Sequence, residues 1–170
     1  MLLGLSLLYV GAVLFLNGLW LLGKIDDKEI VVINIVSGFV TLSVSLYSAF
    51  GPGANAASIK AAALTLLFTT TYLWVAYNRL VHVDGRGLGW FSLFVAITVA
   101  PVSVLTFGSA QSGIDIWLGF SWAIWAVVWF MFFLLLVQKR PIQTVTGLAT
   151  LGAGVVTGWL PGFLLLEGKL

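Results

Sequence analysis

An all-α integral membrane protein with six transmembrane helices is the fold class this 170-residue sequence predicts, and three observations predict it. The chain is 61% hydrophobic and 8% charged with a mean hydropathy of +1.11, too little charge to keep so much apolar surface in water. Six apolar runs of about 20 residues, the length that crosses roughly 30 Å of hydrocarbon, fill it from end to end. The breaks between runs are short and made of glycine, proline and charge, which leaves no room for a further domain.

The first span, 2–22, is apolar from its start and lacks a basic leader and a convincing cleavage site. MLLGLSLLYVGAVLFLNG is therefore read as a retained helix and not a signal peptide. GKIDDKE (23–29) ends it; Asp26, Asp27 and Glu29 stand beside Lys24 and Lys28 as a mixed-sign juxtamembrane turn, not a metal site. Span two, 30–50, stops at GPGANAAS (51–58), and span three, 60–80, at HVDGRG (82–87), where His82 reads as a solvated turn residue. Span four, 88–107, contains Pro101, which removes a backbone hydrogen bond and predicts a kink. GSAQSGID (108–115) leads to span five, 116–137, and QKRP (138–141) to span six, 142–166. That last span holds Pro161, a second expected kink, and Gly147, Gly152, Gly154 and Gly158, which permit close backbone approach. The expected unit is one six-helix domain, 1–170. Six spans divide into two sets of three, and an odd-numbered repeat must be inverted, so a 3+3 inverted repeat is expected although the halves do not align well.

Basic residues set the orientation. Loops one, three and five with their flanks carry Lys24, Lys28, Arg79, Arg86, Lys139 and Arg140; the opposite side has only Lys60 and Lys169. Such a bias puts the odd loops in the cytoplasm and both termini outside a cytoplasmic (inner) membrane.

What the spans lack narrows the function. No Asp, Glu, Lys, Arg or His occupies their interiors, whereas ion-coupled transporters keep such groups at membrane depth. There is no filter-like motif for an ion channel and no phosphate-binding loop for an ATP-driven pump. An intramembrane hydrolase needs a nucleophile with a base, and the one histidine sits at a helix end, so the chain does not read as an enzyme. It has no cysteine and no cofactor motif, and a net charge of +2 does not suggest nucleic acid. A passive path for an uncharged solute remains, or no path at all. The polar residues within spans are neutral, among them Asn17, Asn34, Asn78, Tyr9, Tyr47 and Tyr72; each asparagine either bonds across helices or touches solute.

WLGFSWAIWAVVWF (117–130) holds Trp117 at the rim and Trp122, Trp125 and Trp129 further in. At about 100° per residue the last three fall within roughly 60° of one another and descend about 10 Å into the membrane. Either they pack against neighbouring helices, with the upper ones as belt anchors, or their N–H donors meet a flat solute sliding past. An apolar slot of this kind rejects ions, whose idealised desolvation cost is on the order of 20 kcal/mol.

The chain resembles the AmiS/UreI family of bacterial urea and short-chain amide channels along nearly its whole length. The blocks that carry the resemblance are GLSLLYVGAVLFLNG (4–18), VINIVSG (32–38), LLFTTTYLWVAYN (66–78), LGWFSLFVA (88–96), WAIWAVVWF (122–130) and TGWLPG (157–162). It implies a hexameric ring of twisted six-helix bundles, with membrane lipids filling the centre and a passive solute path in each protomer. By position it implies a lining of Leu7, Val10 and Leu14 from helix one, Thr70 and Trp74 from helix three, and Trp122, Trp125 and Trp129 from helix five. Acid-gated urea members carry a glutamate upstream of the Trp-Leu-Pro-type motif, where this chain has Ala153, and longer outer loops rich in histidine and carboxylates. Both departures look like the amide-channel branch and imply a pore that is not acid-gated. The expected solute is a small neutral amide such as acetamide, or urea, delivered to a cytoplasmic amidase. The alternatives are a non-conducting membrane anchor for a partner amidase or urease, and a secondary transporter, which the uncharged spans disfavour.

Overall fold

Within hydrocarbon every backbone N–H and C=O must find its partner inside the protein, and a continuous helix achieves this within each segment. The computed structural model describes all 170 residues and places them in helices joined by short turns. In chain order these are α1 (Leu2–Leu21), α2 (Ile30–Phe50), α3 (Ala56–Val81), α4 (Arg86–Gly108), α5 (Gly113–Leu136), α6 (Gln143–Ala153) and α7 (Leu160–Leu166). A widened turn, Gly154–Trp159, joins α6 to α7, so that 143–166 forms the sixth of six membrane-length spans.

Local chemistry sets the ends. α3 begins at Ala56, not at residue 60, because the Asn55 side chain accepts from the Ser58 backbone N–H while the Ser58 hydroxyl accepts from the Asn55 N–H. Ser112 and Asp115 cap α5 in the same reciprocal way, drawing its start back to Gly113. His82 terminates α3 in the left-handed conformation at φ 55°. Pro101 lies on an exposed face of an uninterrupted α4. Pro161 behaves differently. Its ring would crowd the carbonyl of Thr157, four residues back, and the backbone just before it widens to i→i+5 geometry.

The helices associate as three antiparallel pairs: α2 with α3, α4 with α5, and α1 with the α6–α7 span. An inverted repeat of three helices would match the α1–α6 pairing with an equally close α3–α4 pairing. α3 and α4 touch only sparingly, so the pairing lends the expected 3+3 repeat no support. The α1–α6 seam is built on glycine. Gly4, Gly11 and Gly18 recur every seventh residue and so share one face of α1. Opposite them lie Gly147, Gly154, Gly158 and Gly162; a Cβ on Gly11 would stand 2.7 Å from the Trp159 Cα. Gly152, grouped with the seam by sequence, has open space beside it.

A single buried cluster fills the bundle between α1, α3, α4 and α5, including Leu7, Val10, Leu14, Phe68, Tyr72, Val95, Trp125 and Trp129. The outward faces are equally apolar, with Val32, Phe39, Ile97 and Val104 exposed on the protomer.

Candidate functional site

Three voids adjoin one another, each sharing wall residues with the next. The first is a broad vestibule of about 690 Å³ on the odd-loop face, bordered by Trp20, Asp26, Asp27, Arg79, Asp84 and Gln143. It shares Trp20, Arg79, Leu135 and Leu136 with a neck of about 30 Å³ that reaches Asn78 and Gly85. The neck shares Val75, Leu88 and Phe132 with a central cavity, again about 30 Å³, on the scale of one or two water molecules.

Charge borders the vestibule and, through Arg79, the neck, and goes no further. Arg79 ion-pairs with Asp27 at 3.3 Å and lies 5.2 Å above the Trp20 ring, while the Trp20 indole N–H donates to Asp27 at 2.7 Å. This clasp ties the first loop to the end of α3. Nearby, the Arg86 backbone N–H donates to Asp84 and, with the Arg86 guanidinium, holds its carboxyl below the usual carboxylate range. The central cavity has no charged side chain; its polar groups are Asn17, Thr71, Tyr72, Ser92 and Thr150 beside the indoles of Trp125 and Trp129.

Toward the terminal face, aromatic rings close the bundle. Phe68 is the hub, its ring centre 4.8 Å from Trp125, 4.7 Å from Trp129 and 6.0 Å from Trp122. Trp122 meets Trp125 edge to face at 4.9 Å. The indole donors are not aligned for a shared moving acceptor. Trp125 donates to Thr157 Oγ1 at 2.7 Å, and Trp129 to Thr71 Oγ1 at 3.2 Å. Thr157 in turn donates to the Ala153 carbonyl, so the Ala153 position supports the ring column through its backbone.

The residues singled out by sequence divide accordingly. Leu14, Trp125 and Trp129 border the central cavity; Leu7, Val10, Ala153 and the half-buried Trp122 belong to or pack on the aromatic closure beside it. Thr70 and Trp74 do not. Thr70 is exposed on the outer side of α3 and bonds its own helix at Leu66, and Thr71, one residue on, takes the inward place. Trp74 lies tilted against Phe91, ring centres 5.7 Å apart, at the start of α4 and does not border the cavity. Sequence reasoning passed over Phe68, Val75, Leu88 and Phe132 and did not assign Asn17 or Tyr72 to a path. Phe68, Tyr72 and Val75 do carry a signal, an i, i+4, i+7 stripe, obscured because the lipid-facing positions of α3 are apolar too. No group of three His, Cys, Asp or Glu side chains comes close enough to hold a metal.

Six membrane-length helices around adjoining cavities, the innermost with an uncharged lining, define a membrane transport protein. The chain belongs to the AmiS/UreI family of transporters, which matches residues 2–169. It is 41% identical over 167 residues to a Mycolicibacterium smegmatis protein named provisionally as an amidate substrates transporter, covering 98% of this chain and 77% of that one. It is 34% identical to the acid-activated urea channel of Helicobacter pylori strain J99, covering 96% of each. The cryo-EM structure of the H. pylori urea channel in its closed state superposes with a TM-score of 0.86 at 34% identity over 99% of both chains, and the crystal structure of that channel with 0.85 at 35% over 99% and 98%.

Proposed function

We propose that the chain is a passive channel for small neutral amides, namely urea and short-chain aliphatic amides such as acetamide. The observation that carries this reading is a central cavity bounded by aromatic, aliphatic and neutral polar side chains, with no charge to trap an ion or couple to a proton. An ion entering it loses hydration and gains no partner. A flat neutral amide loses far less and regains hydrogen bonds. The protein's similarity to an amidate substrates transporter and to a urea channel supports the same solute class.

In this reading Leu7, Val10, Leu14, Trp122, Trp125, Trp129 and Ala153 form or support the path, together with Phe68 and Tyr72. The odd loops face the cytoplasm, since they hold most of the lysine and arginine, and both termini face outward. The vestibule then opens on the cytoplasmic side, where an amidase consumes the arriving amide. The protomer is one of six in a ring whose apolar outer faces meet neighbours and lipid; light scattering on the purified protein reads that number. Proteoliposomes in a stopped-flow instrument test the function. A rise in acetamide- and urea-driven reswelling over empty vesicles, independent of proton or sodium gradients, is expected. Reswelling no faster than empty vesicles overturns the channel and leaves a membrane anchor for an amidase or urease.

A further inference from the structure

We infer that Asn17, held by Asn34, sets solute specificity in the central cavity by offering its one free N–H to the carbonyl oxygen of a passing amide or urea. This assignment rests on the channel reading above and concerns which residues read the solute.

Counting the donors around the cavity leads to it. The N–H of Trp125 is committed to Thr157 and that of Trp129 to Thr71. The hydroxyls of Thr71, Ser92 and Thr150 each donate to a carbonyl one turn back on their own helices, at Leu67, Leu88 and Thr146. Two side chains keep an uncommitted donor: Tyr72, whose buried hydroxyl has no partner, and Asn17.

Asn17 is the more specific of the two. A carboxamide has two N–H donors and two acceptor sites. Asn17 Nδ2 donates to Asn34 Oδ1 at 3.2 Å, and Asn17 Oδ1 accepts from Asn34 Nδ2 at 2.7 Å, so one donor and one acceptor stay free on a side chain that lines the cavity. Asn34 itself is fully buried and uses its second N–H on the Ile30 carbonyl at 2.9 Å. That bond fixes which end of the Asn34 amide is nitrogen, and the reciprocal pair then fixes Asn17. Asn34 is a positioning residue. The reciprocal pair occupies the edge of Asn17 on which N–H and oxygen lie side by side, so its remaining N–H and remaining acceptor site point to opposite sides. A small solute meets one at a time, and the free N–H suits the carbonyl oxygen of an amide or urea. A solute whose acceptor is absent or weaker than an amide carbonyl gains less from that N–H, which disfavours it.

The test compares acetamide, urea and water fluxes through proteoliposomes of the unmodified protein, Asn17→Leu, Asn34→Leu and the double variant. The double variant leaves no lone buried amide, so its folding is spared the orphan that each single change creates. The ratio of acetamide to water flux should fall about fivefold or more in Asn17→Leu and in the double variant, and by less in Asn34→Leu. Urea should follow acetamide. The assignment is overturned if the ratio holds in the double variant, whether both fluxes are unchanged or fall in equal proportion, since that makes the pair purely structural. An unmodified protein that passes neither acetamide nor urea overturns the channel reading itself, a separate result visible before any variant is made.

Discussion

Trp125 has one donor, and the protein has already used it on Thr157. Replacing Trp125 with Phe keeps an aromatic face in the column and removes the N–H. Thr157 still donates to the Ala153 carbonyl, so no buried donor is orphaned. The expected outcome is a stability loss of about 1 kcal/mol in thermal unfolding and an unchanged acetamide-to-urea flux ratio. A changed ratio would return the indole N–H to the solute path. Phe68 differs because its ring closes the bundle. Phe68→Ala removes a side chain that is 5% exposed and touches three tryptophans. Longer amides such as butyramide should then gain several-fold relative to acetamide in the reswelling assay; an unaltered ranking of solutes would put the size filter elsewhere. The tryptophan stripe was legible because its spacing of three and four marks one helix face. Its partners were not, since the acceptors lie 32 and 58 positions away in the chain. The TTT run at 69–71 shows the same limit. Three identical residues about 100° apart differ only in what surrounds them, so sequence had no means of choosing Thr71 over Thr70.

At the scale of helices, the seam between α1 and the α6–α7 span holds the bundle closed, and it depends on the absence of side chains. Lipid tails are as apolar as leucine, so close packing, not escape from water, brings these helices together. Gly11→Ala forces a methyl against the Gly158–Trp159 backbone, which cannot turn aside as a side chain can. A loss of about 1–3 kcal/mol is expected, read as a lower thermal midpoint. Gly152→Ala, with nothing within 4 Å of the added methyl, is the matched control and should melt as the unmodified protein does. Equal midpoints for the two variants would locate the critical seam elsewhere. Helix number and order were plain in the sequence because runs of membrane length leave few alternatives. Two features were not. The starts of α3 and α5 moved outward because Asn55–Ser58 and Ser112–Asp115 form caps in what hydropathy alone reads as loop. Pro161 was read as a kink, and the widened backbone over Gly154–Trp159 that precedes it was not foreseen. The three-pair association is likewise a property of packing, to which hydropathy is blind.

Across the whole molecule, charge is confined to the two ends, and its distribution determines how the protein answers acid. The terminal face carries Lys60, Asp115, Glu167 and Lys169, and no histidine. The single histidine, His82, caps α3 on the opposite face. Histidine is the side chain whose ordinary titration falls between pH 5 and 8, so the terminal face lacks the usual component of a proton sensor. Asp84 does not replace it. The Arg86 backbone N–H lowers its pKa, so its contribution to stability is present above the ordinary aspartate value and is lost only as the pH falls through the lowered one. That window lies below about pH 4. The H. pylori relative is named an acid-activated channel, and its alignment runs over 188 positions against a chain of 170 residues, so it has inserted segments that this chain lacks. Acetamide flux in vesicles buffered alike on both sides should therefore agree within about twofold between pH 7 and pH 5, the small change that distant surface charges make through screened interactions. A several-fold rise at pH 5 would place a gate within the bundle, and the closed aromatic column around Phe68 would be where to seek it.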